Sequence, residues 1–215
     1  MPDKPSQRSA HPPSPEKPQP GTTRRGFLKS AGMISAGAAG LEVLHGVSVA
    51  EEQARIVGHG KIPLKLDING QLHNLSVEPR ATLAETLRDE LHLTGTKVVC
   101  DRGSCSACTV VLDKTPVCSC MTLAVDVGNR KITTIEGLAQ GDNLHVVQAA
   151  FIAHDALQCG FCTSGMVMSC AALLERNPHP TLDDVKTAIS GNICRCGTYP
   201  KVFDAALAAS ESRGT

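Results

Sequence analysis

Apolar and polar residues alternate from Lys61 to Ile68, with Ile62, Leu64, Leu66 and Ile68 on one side and Lys65 and Asp67 on the other. Asn69-Gly70 follows, and a second short run spans Leu72 to Val77. A period of two, an Asn-Gly pair and a second run predict a β-hairpin with a two-residue turn. The period then lengthens. Thr82 and Glu85 have the spacing of a capping box, and Leu83, Leu87 and Leu91 recur behind it at the helical interval, so a helix is expected. "CTVVLDKTPVCSCMTL" predicts two strands about an Asp113-Lys114 turn, and "RKITTIEG" a final strand. Strands, one helix and more strands make a small α+β domain over residues 61–136.

Beyond Gly137 every period is helical. "DNLHVVQAAFIAHDAL" brings Val146, Val147, Ala150 and Phe151 together behind Asn143 or Asp142 as cap. "TSGMVMSCAALLERNP" lines up Met166, Val167, Cys170, Leu173 and Leu174 and stops at Asn177-Pro178. "TLDDVKTAISGN" opens on a Thr181–Asp184 cap, and "YPKVFDAALAAS" carries Pro200 in its first turn. The expectation is an all-α, four-helix domain over residues 137–210, with a short tail at 211–215.

The first 50 residues read differently. Residues up to Thr23 are rich in Pro, Ser, Gln and Lys, a composition that cannot bury a core. Arg24-Arg25, then Phe27-Leu28-Lys29, a glycine-dotted apolar stretch and Ser48-Val49-Ala50 have the order of a cleavable export signal. The Arg pair resembles a twin-arginine address, which predicts delivery to the periplasm as folded cargo. The apolar stretch is too short for a membrane anchor. Residues 51–60 read as a linker. Past residue 50, acidic residues slightly outnumber basic ones, and the whole chain has one Tyr, four Phe and no Trp. That balance argues against a nucleic-acid surface. No glycine-rich dinucleotide fingerprint follows a strand, so this chain is not expected to hold flavin or nicotinamide itself.

The cysteines carry the chemistry. Cys100, Cys105 and Cys108 have the C-x4-C-x2-C spacing of a plant-type [2Fe–2S] site, whose fourth thiolate must come from further along the chain. Cys118 and Cys120 both qualify; two apart on a strand, they would face the same side. Gly103 lets the loop curl tightly enough for three sulfurs to converge. A second set joins Cys159 and Cys162 to Cys194 and Cys196, each pair at a helix end, where free N–H groups favour thiolate charge. Zinc sites repeat other spacings, and a disulfide framework would not crowd five cysteines between Cys100 and Cys120. Cys170 sits on an apolar stripe and reads as a buried, inert thiol. The histidines are scattered without ligand spacing, and no acid–base constellation marks a catalytic residue.

The strings "CDRGSCSACTVVLD", "QCGFCTSGM" and "LLERNPHPTLDDVKTAISGNICRCGTYPKV" resemble the small iron–sulfur subunit of molybdenum hydroxylases, the xanthine dehydrogenase and aldehyde oxidoreductase family. The resemblance spans about residues 62–208. It implies a β-grasp, plant-ferredoxin-like domain followed by a four-helix [2Fe–2S] bundle. It further implies a first cluster on Cys100, Cys105, Cys108 and Cys120, and a second on Cys159, Cys162, Cys194 and Cys196. Gln158 and Cys196 would approach a molybdenum–pterin cofactor in a large partner subunit. Electrons from aldehyde or N-heterocycle oxidation there would leave through the two clusters toward an FAD subunit or another acceptor. A free-standing two-cluster carrier is the alternative. Two departures stand out: Ser106 and Ser164 occupy places where the family usually has Gly and Pro.

Overall fold

The computed structural model describes residues 59–212. The signal expected over residues 1–50, most of the 51–60 linker and most of the 211–215 tail lie outside the described residues. Five strands form one mixed sheet: β1 (Ile62–Ile68), β2 (Gln71–Val77), β3 (Thr109–Leu112), β4 (Thr115–Cys118) and β5 (Lys131–Thr133), in the order β2-β1-β5-β3-β4. β1 runs parallel to β5, and the other neighbours are antiparallel. The first hairpin closes on Asn69 and Gly70 with φ of 54° and 79°, the two positive angles that a two-residue primed turn needs. The Asn69 side chain then ties this turn to the end of β5: its Oδ1 accepts from Thr134 N at 2.9 Å, and its Nδ2 donates to Thr134 Oγ1 at 3.0 Å.

The expected capping box is present. Thr82 Oγ1 accepts from Glu85 N at 3.2 Å, while Thr82 N donates to Glu85 Oε2 at 2.8 Å. It opens α1 (Leu83–Glu85), which widens into a π-helical turn over Thr86–Glu90. Leu83 and Leu87 are fully buried against Leu66, Ile68, Val110 and Ile132 of the sheet. Burial of each such side chain stabilises the fold by about 1.5–3 kcal/mol.

Four helices follow: α2 (Val146–Ala153), α3 (Thr163–Arg176), α4 (Leu182–Ala188) and α5 (Tyr199–Glu211). Their shared core centres on Phe151, Met166, Cys170, Leu174, Val185 and Val202. The cap of α2 is His145, in place of Asn143 or Asp142: its Nδ1 accepts from Val147 N at 3.3 Å, and its N–H donates to Gln148 Oε1 at 3.0 Å. Asn143 is held apart in a tight turn with Gln140, whose N–H donates to Asn143 O at 2.9 Å. Among the described residues no helix is long and apolar enough to cross a membrane.

α3 departs most from its expected single stripe. Every residue from Gly165 to Leu174 is buried. One face packs into the helical core, and Met168 and Ala172 on the other pack against Val111 of β3. A helix buried all round lies at the centre of two packed layers, and α3 is the element that holds sheet and bundle together.

Candidate metal centres

The first site is the irregular segment between α1 and β3, closed by the turn after β4. Burial takes Cys105, Cys108 and Cys120 out of solvent and leaves Cys100 half-buried. Backbone N–H groups turn inward onto sulfur: Ser104 N donates to Cys100 Sγ at 3.3 Å. The Arg102 backbone bond, then the Cys105 thiol, hold the Cys100 thiol down at about 7, well below an ordinary cysteine. Burial acts the other way on Cys105, Cys108 and Cys118 and raises them. The thiols neighbour one another in pairs, Cys100 with Cys105 and Cys108 with Cys120.

β4 ends at Cys118, and Ser119–Met121 is a 3-10 turn. The expectation that Cys118 and Cys120 share one face of a strand is therefore corrected. Ser119 Oγ and N both donate to Cys108 O, at 2.7 and 3.3 Å, which pins this turn against the loop and brings Cys120 to Cys108. Cys118 also neighbours Cys108, but its sulfur faces Ser106 Oγ at 3.5 Å and Gly103 O at 3.9 Å.

The second site lies between two helix starts. Cys162 is the N-cap residue of α3. Cys194 and Cys196 lie well past the end of α4 and lead into α5, whose N-cap is Thr198. Both pairs thus precede helix N-termini. Cys162 neighbours Cys194, and Cys159 neighbours Cys196. Burial pushes the Cys162 thiol up to about 12. Burial would raise Cys194 too, but the Thr198 hydroxyl and backbone outweigh it and bring that thiol to about 7. Cys159 and Cys196 are exposed, as are Gln158, Phe161, Ile193 and Arg195 around them.

The two sites touch through backbone. Ile193 N donates to Cys105 O at 3.0 Å, and Asn192 Nδ2 donates to Ser106 O at 3.0 Å. Gly165, in the first turn of α3, lies so close to Ser106 O that a Cβ there would collide with it. This seam, in which Asn192 and Ser106 are 86 apart in sequence, had no local signal. Ser106 itself has φ of 52°, so it holds the left-handed angle that a glycine would adopt more readily.

All ten cysteines are free thiols. Cys170 is fully buried, and burial raises its thiol to about 12, as suits an inert core residue. Among the described residues no three His, Cys, Asp or Glu side chains are set to hold a single metal ion. Two neighbouring thiol pairs per site are instead what a two-iron cluster asks for, with two thiolates for each iron and an all-sulfur donor set. The inward Ser104 N–H at Cys100 fits an anionic, hydrogen-bond-accepting group.

Comparison with known proteins agrees with this geometry. Residues 66–134 match the 2Fe-2S iron-sulfur cluster binding domain, and residues 134–207 match the [2Fe-2S] binding domain. Fold and sites therefore define a protein with two iron–sulfur domains. The aldehyde oxidoreductase iron-sulfur-binding subunit PaoA of Escherichia coli K12 is 42% identical over 200 residues, covering 85% of this chain and 86% of that protein. The nicotine 6-hydroxylase small subunit of Paenarthrobacter nicotinovorans is 45% identical over 149 residues, covering 69% and 90%. The crystal structure of quinoline 2-oxidoreductase from Pseudomonas putida 86 superposes with a TM-score of 0.68 at 44% identity, over 71% of this chain and 95% of that one. The chain belongs to the family of small iron–sulfur subunits of molybdenum hydroxylases, the electron-transfer components of oxidoreductase complexes.

Proposed function

We propose that this chain carries electrons out of a molybdenum–pterin site on a large partner subunit, through one [2Fe–2S] cluster in each domain. Cys100, Cys105, Cys108 and Cys120 hold the first, in a ferredoxin-type domain over residues 61–136. Cys159, Cys162, Cys194 and Cys196 hold the second, in the helical domain over residues 137–210. When bound, each cluster supplies a one-electron station, which suits a two-electron substrate oxidation drained in single steps. The protein's part is to enclose the sulfurs, aim N–H groups at them and keep the two sites in register. The observation that carries this reading is the assembly of eight thiols into four neighbouring pairs at two sites.

The exposed face around Gln158, Cys159, Phe161 and Cys196 is where the large subunit docks, with Gln158 and Cys196 reaching its pterin. The substrate is an aldehyde or an N-heterocycle, the classes named for the relatives above, and it is bound by the partner. An FAD subunit or another carrier takes the electrons from the first cluster. Purified from its native host, the chain is expected to co-elute with a large molybdenum-containing protein and to show two distinct paramagnetic signals on reduction. Cys120→Ala loses one signal and Cys118→Ala keeps both. A chain that elutes alone with both signals is a free-standing two-cluster carrier, and a colourless zinc protein ends the cluster assignment.

Residues 1–50 comprise a tail and a twin-arginine signal that takes the assembled complex to the periplasm. If the large chain carries no signal of its own, changing Arg24 and Arg25 to Lys strands both chains in the cytoplasm. Normal export of the large chain from that mutant refutes the shared address.

A further inference from the structure

Asn192 lies just before the Cys194–Cys196 loop and is only 3% exposed. Each of its polar groups is engaged. Its Nδ2 donates to Ser106 O at 3.0 Å, inside the first cysteine loop, and its Oδ1 accepts from Ser169 Oγ of α3 at 2.9 Å. Its backbone N donates to Ile189 O at 2.8 Å, and its carbonyl accepts from the Tyr199 hydroxyl at 2.9 Å. That same hydroxyl oxygen accepts from Cys194 N at 2.8 Å. One buried amide thus touches the first loop, the central helix and, through Tyr199, the backbone of a second-site cysteine. The next peptide repeats the connection, with Ile193 N on Cys105 O at 3.0 Å. A buried amide left without these partners would be costly, so the arrangement tolerates few alternatives.

Resting on the cluster assignment above, we infer that Asn192 is a shared positioning residue: it locks the Cys105–Ser106 segment to the Cys194 segment, so that both metal loops hold one relative geometry. Ser169 is its support, fixing which way the amide points. A residue serving only the helical bundle would affect the second site alone. Asn192 affects both, because its donor hydrogen ends on the first loop.

The test uses the full chain in its native complex, comparing wild type with Asn192→Ala, Ser169→Ala and, as a control for ordinary helix capping, Asn177→Ala. Asn177 contacts Asp184 at 3.4 Å and touches neither cysteine loop. Asn192→Ala is expected to retain its iron yet shift the midpoint potentials of both clusters and alter the magnetic splitting between them when both are reduced. Ser169→Ala shifts them in the same direction by less, and Asn177→Ala leaves them unchanged. The Ile193 amide exchanges with solvent about tenfold faster in Asn192→Ala, the equivalent of roughly one net hydrogen bond. A cleft of about 140 Å³ beside Ser106, Ser169, Gly191 and Asn192 can admit water to the freed carbonyl, which favours a folded variant. Should it still fail to fold, Ser169→Ala decides by the same readouts. A shift confined to the second cluster, or unchanged Ile193 exchange, overturns the inference. A wild-type chain without iron sinks the cluster assignment, and amide exchange then judges Asn192 by itself.

Discussion

At the first site Cys105, Cys108 and Cys120 are buried and Cys100 is half-buried, whereas at the second Cys159 and Cys196 are open to solvent. Around the open pair, Phe161 is 60% and Ile193 55% exposed, on a stretch that also presents Gln158 and Arg195. The chain buries three of the four thiols of the first site with a loop, a turn and the side of α3, although Val99 and Met121 beside them are also exposed. At the second site Cys162 and Cys194 are buried and the other two thiols face solvent. An exposed aromatic beside half-open thiols is the kind of surface that a partner covers. Under the proposed function this difference would give the subunit a direction, with the more open site meeting the large chain and the more buried one lying behind it.

The strongest way to break the comparison is at the seam that both sites share. Gly165→Ala drives a methyl group onto the Ser106 carbonyl, which is already fixed by Thr109 Oγ1 at 2.7 Å and Asn192 Nδ2 at 3.0 Å. Backbone meets backbone, so neither side yields easily, and overpacking of this kind costs about 3 kcal/mol or more. In a domain of this size that lowers the melting temperature by roughly 6 °C or more. Iron should fall at both sites together. If only the second site suffers, or the melting temperature hardly moves, the sites are independent and the shared seam is wrong.

The next effect is confined to the open face. Phe161→Asp replaces a largely exposed aromatic, 60% in solvent, with a charge, so the isolated chain should keep its stability within about 0.5 kcal/mol. Docking should suffer far more, since a buried aromatic anchor is worth about 2 kcal/mol or more at an interface, or roughly thirtyfold in affinity. Titration of the purified large subunit against wild type and variant measures it. Both cluster signals should persist in the isolated variant. Undiminished binding would place the docking surface elsewhere.

Much of this was legible in the sequence wherever one short window decided the matter. The Asn69-Gly70 turn and the Thr82–Glu85 and Thr181–Asp184 boxes each rest on spacings that local geometry imposes. The misses share a cause as well. Asn143 is a good capping type, but it was used in a turn with Gln140, and His145 caps α2 instead. Cys118 and Cys120 look like strand neighbours until Ser119 binds Cys108 O and curls the chain. The second buried face of α3, through Met168 and Ala172, depends on Val111 of a distant strand. Asn192 reads as a residue near a helix end, and only the fold sets its amide on Ser106. Periodicity reports which faces are apolar, not which distant backbone a polar group will meet.

The smallest predicted effect tests why the first loop tolerates a side chain at Ser106, whereas the second loop has glycines at its left-handed positions, Gly160 at φ 86° and Gly197 at φ 79°. Ser106 holds φ of 52°, an angle that costs a residue with a Cβ about 1–2 kcal/mol relative to right-handed backbone. Its hydroxyl gains a contact with Cys118 Sγ at 3.5 Å. Ser106→Gly and Ser106→Ala both lose that contact, so the difference between them isolates the backbone term. Glycine also gains entropy in the unfolded chain, which offsets part of the relief. Ser106→Gly is therefore expected to be more stable than Ser106→Ala by about 1 kcal/mol, read as a shift in denaturation midpoint at constant slope. Equal stability would mean that the loop relaxes out of the left-handed angle once the hydroxyl is gone. The Ser106–Cys118 contact, rather than the clamp from Asn192 and Thr109 on the Ser106 carbonyl, would then be what holds that angle.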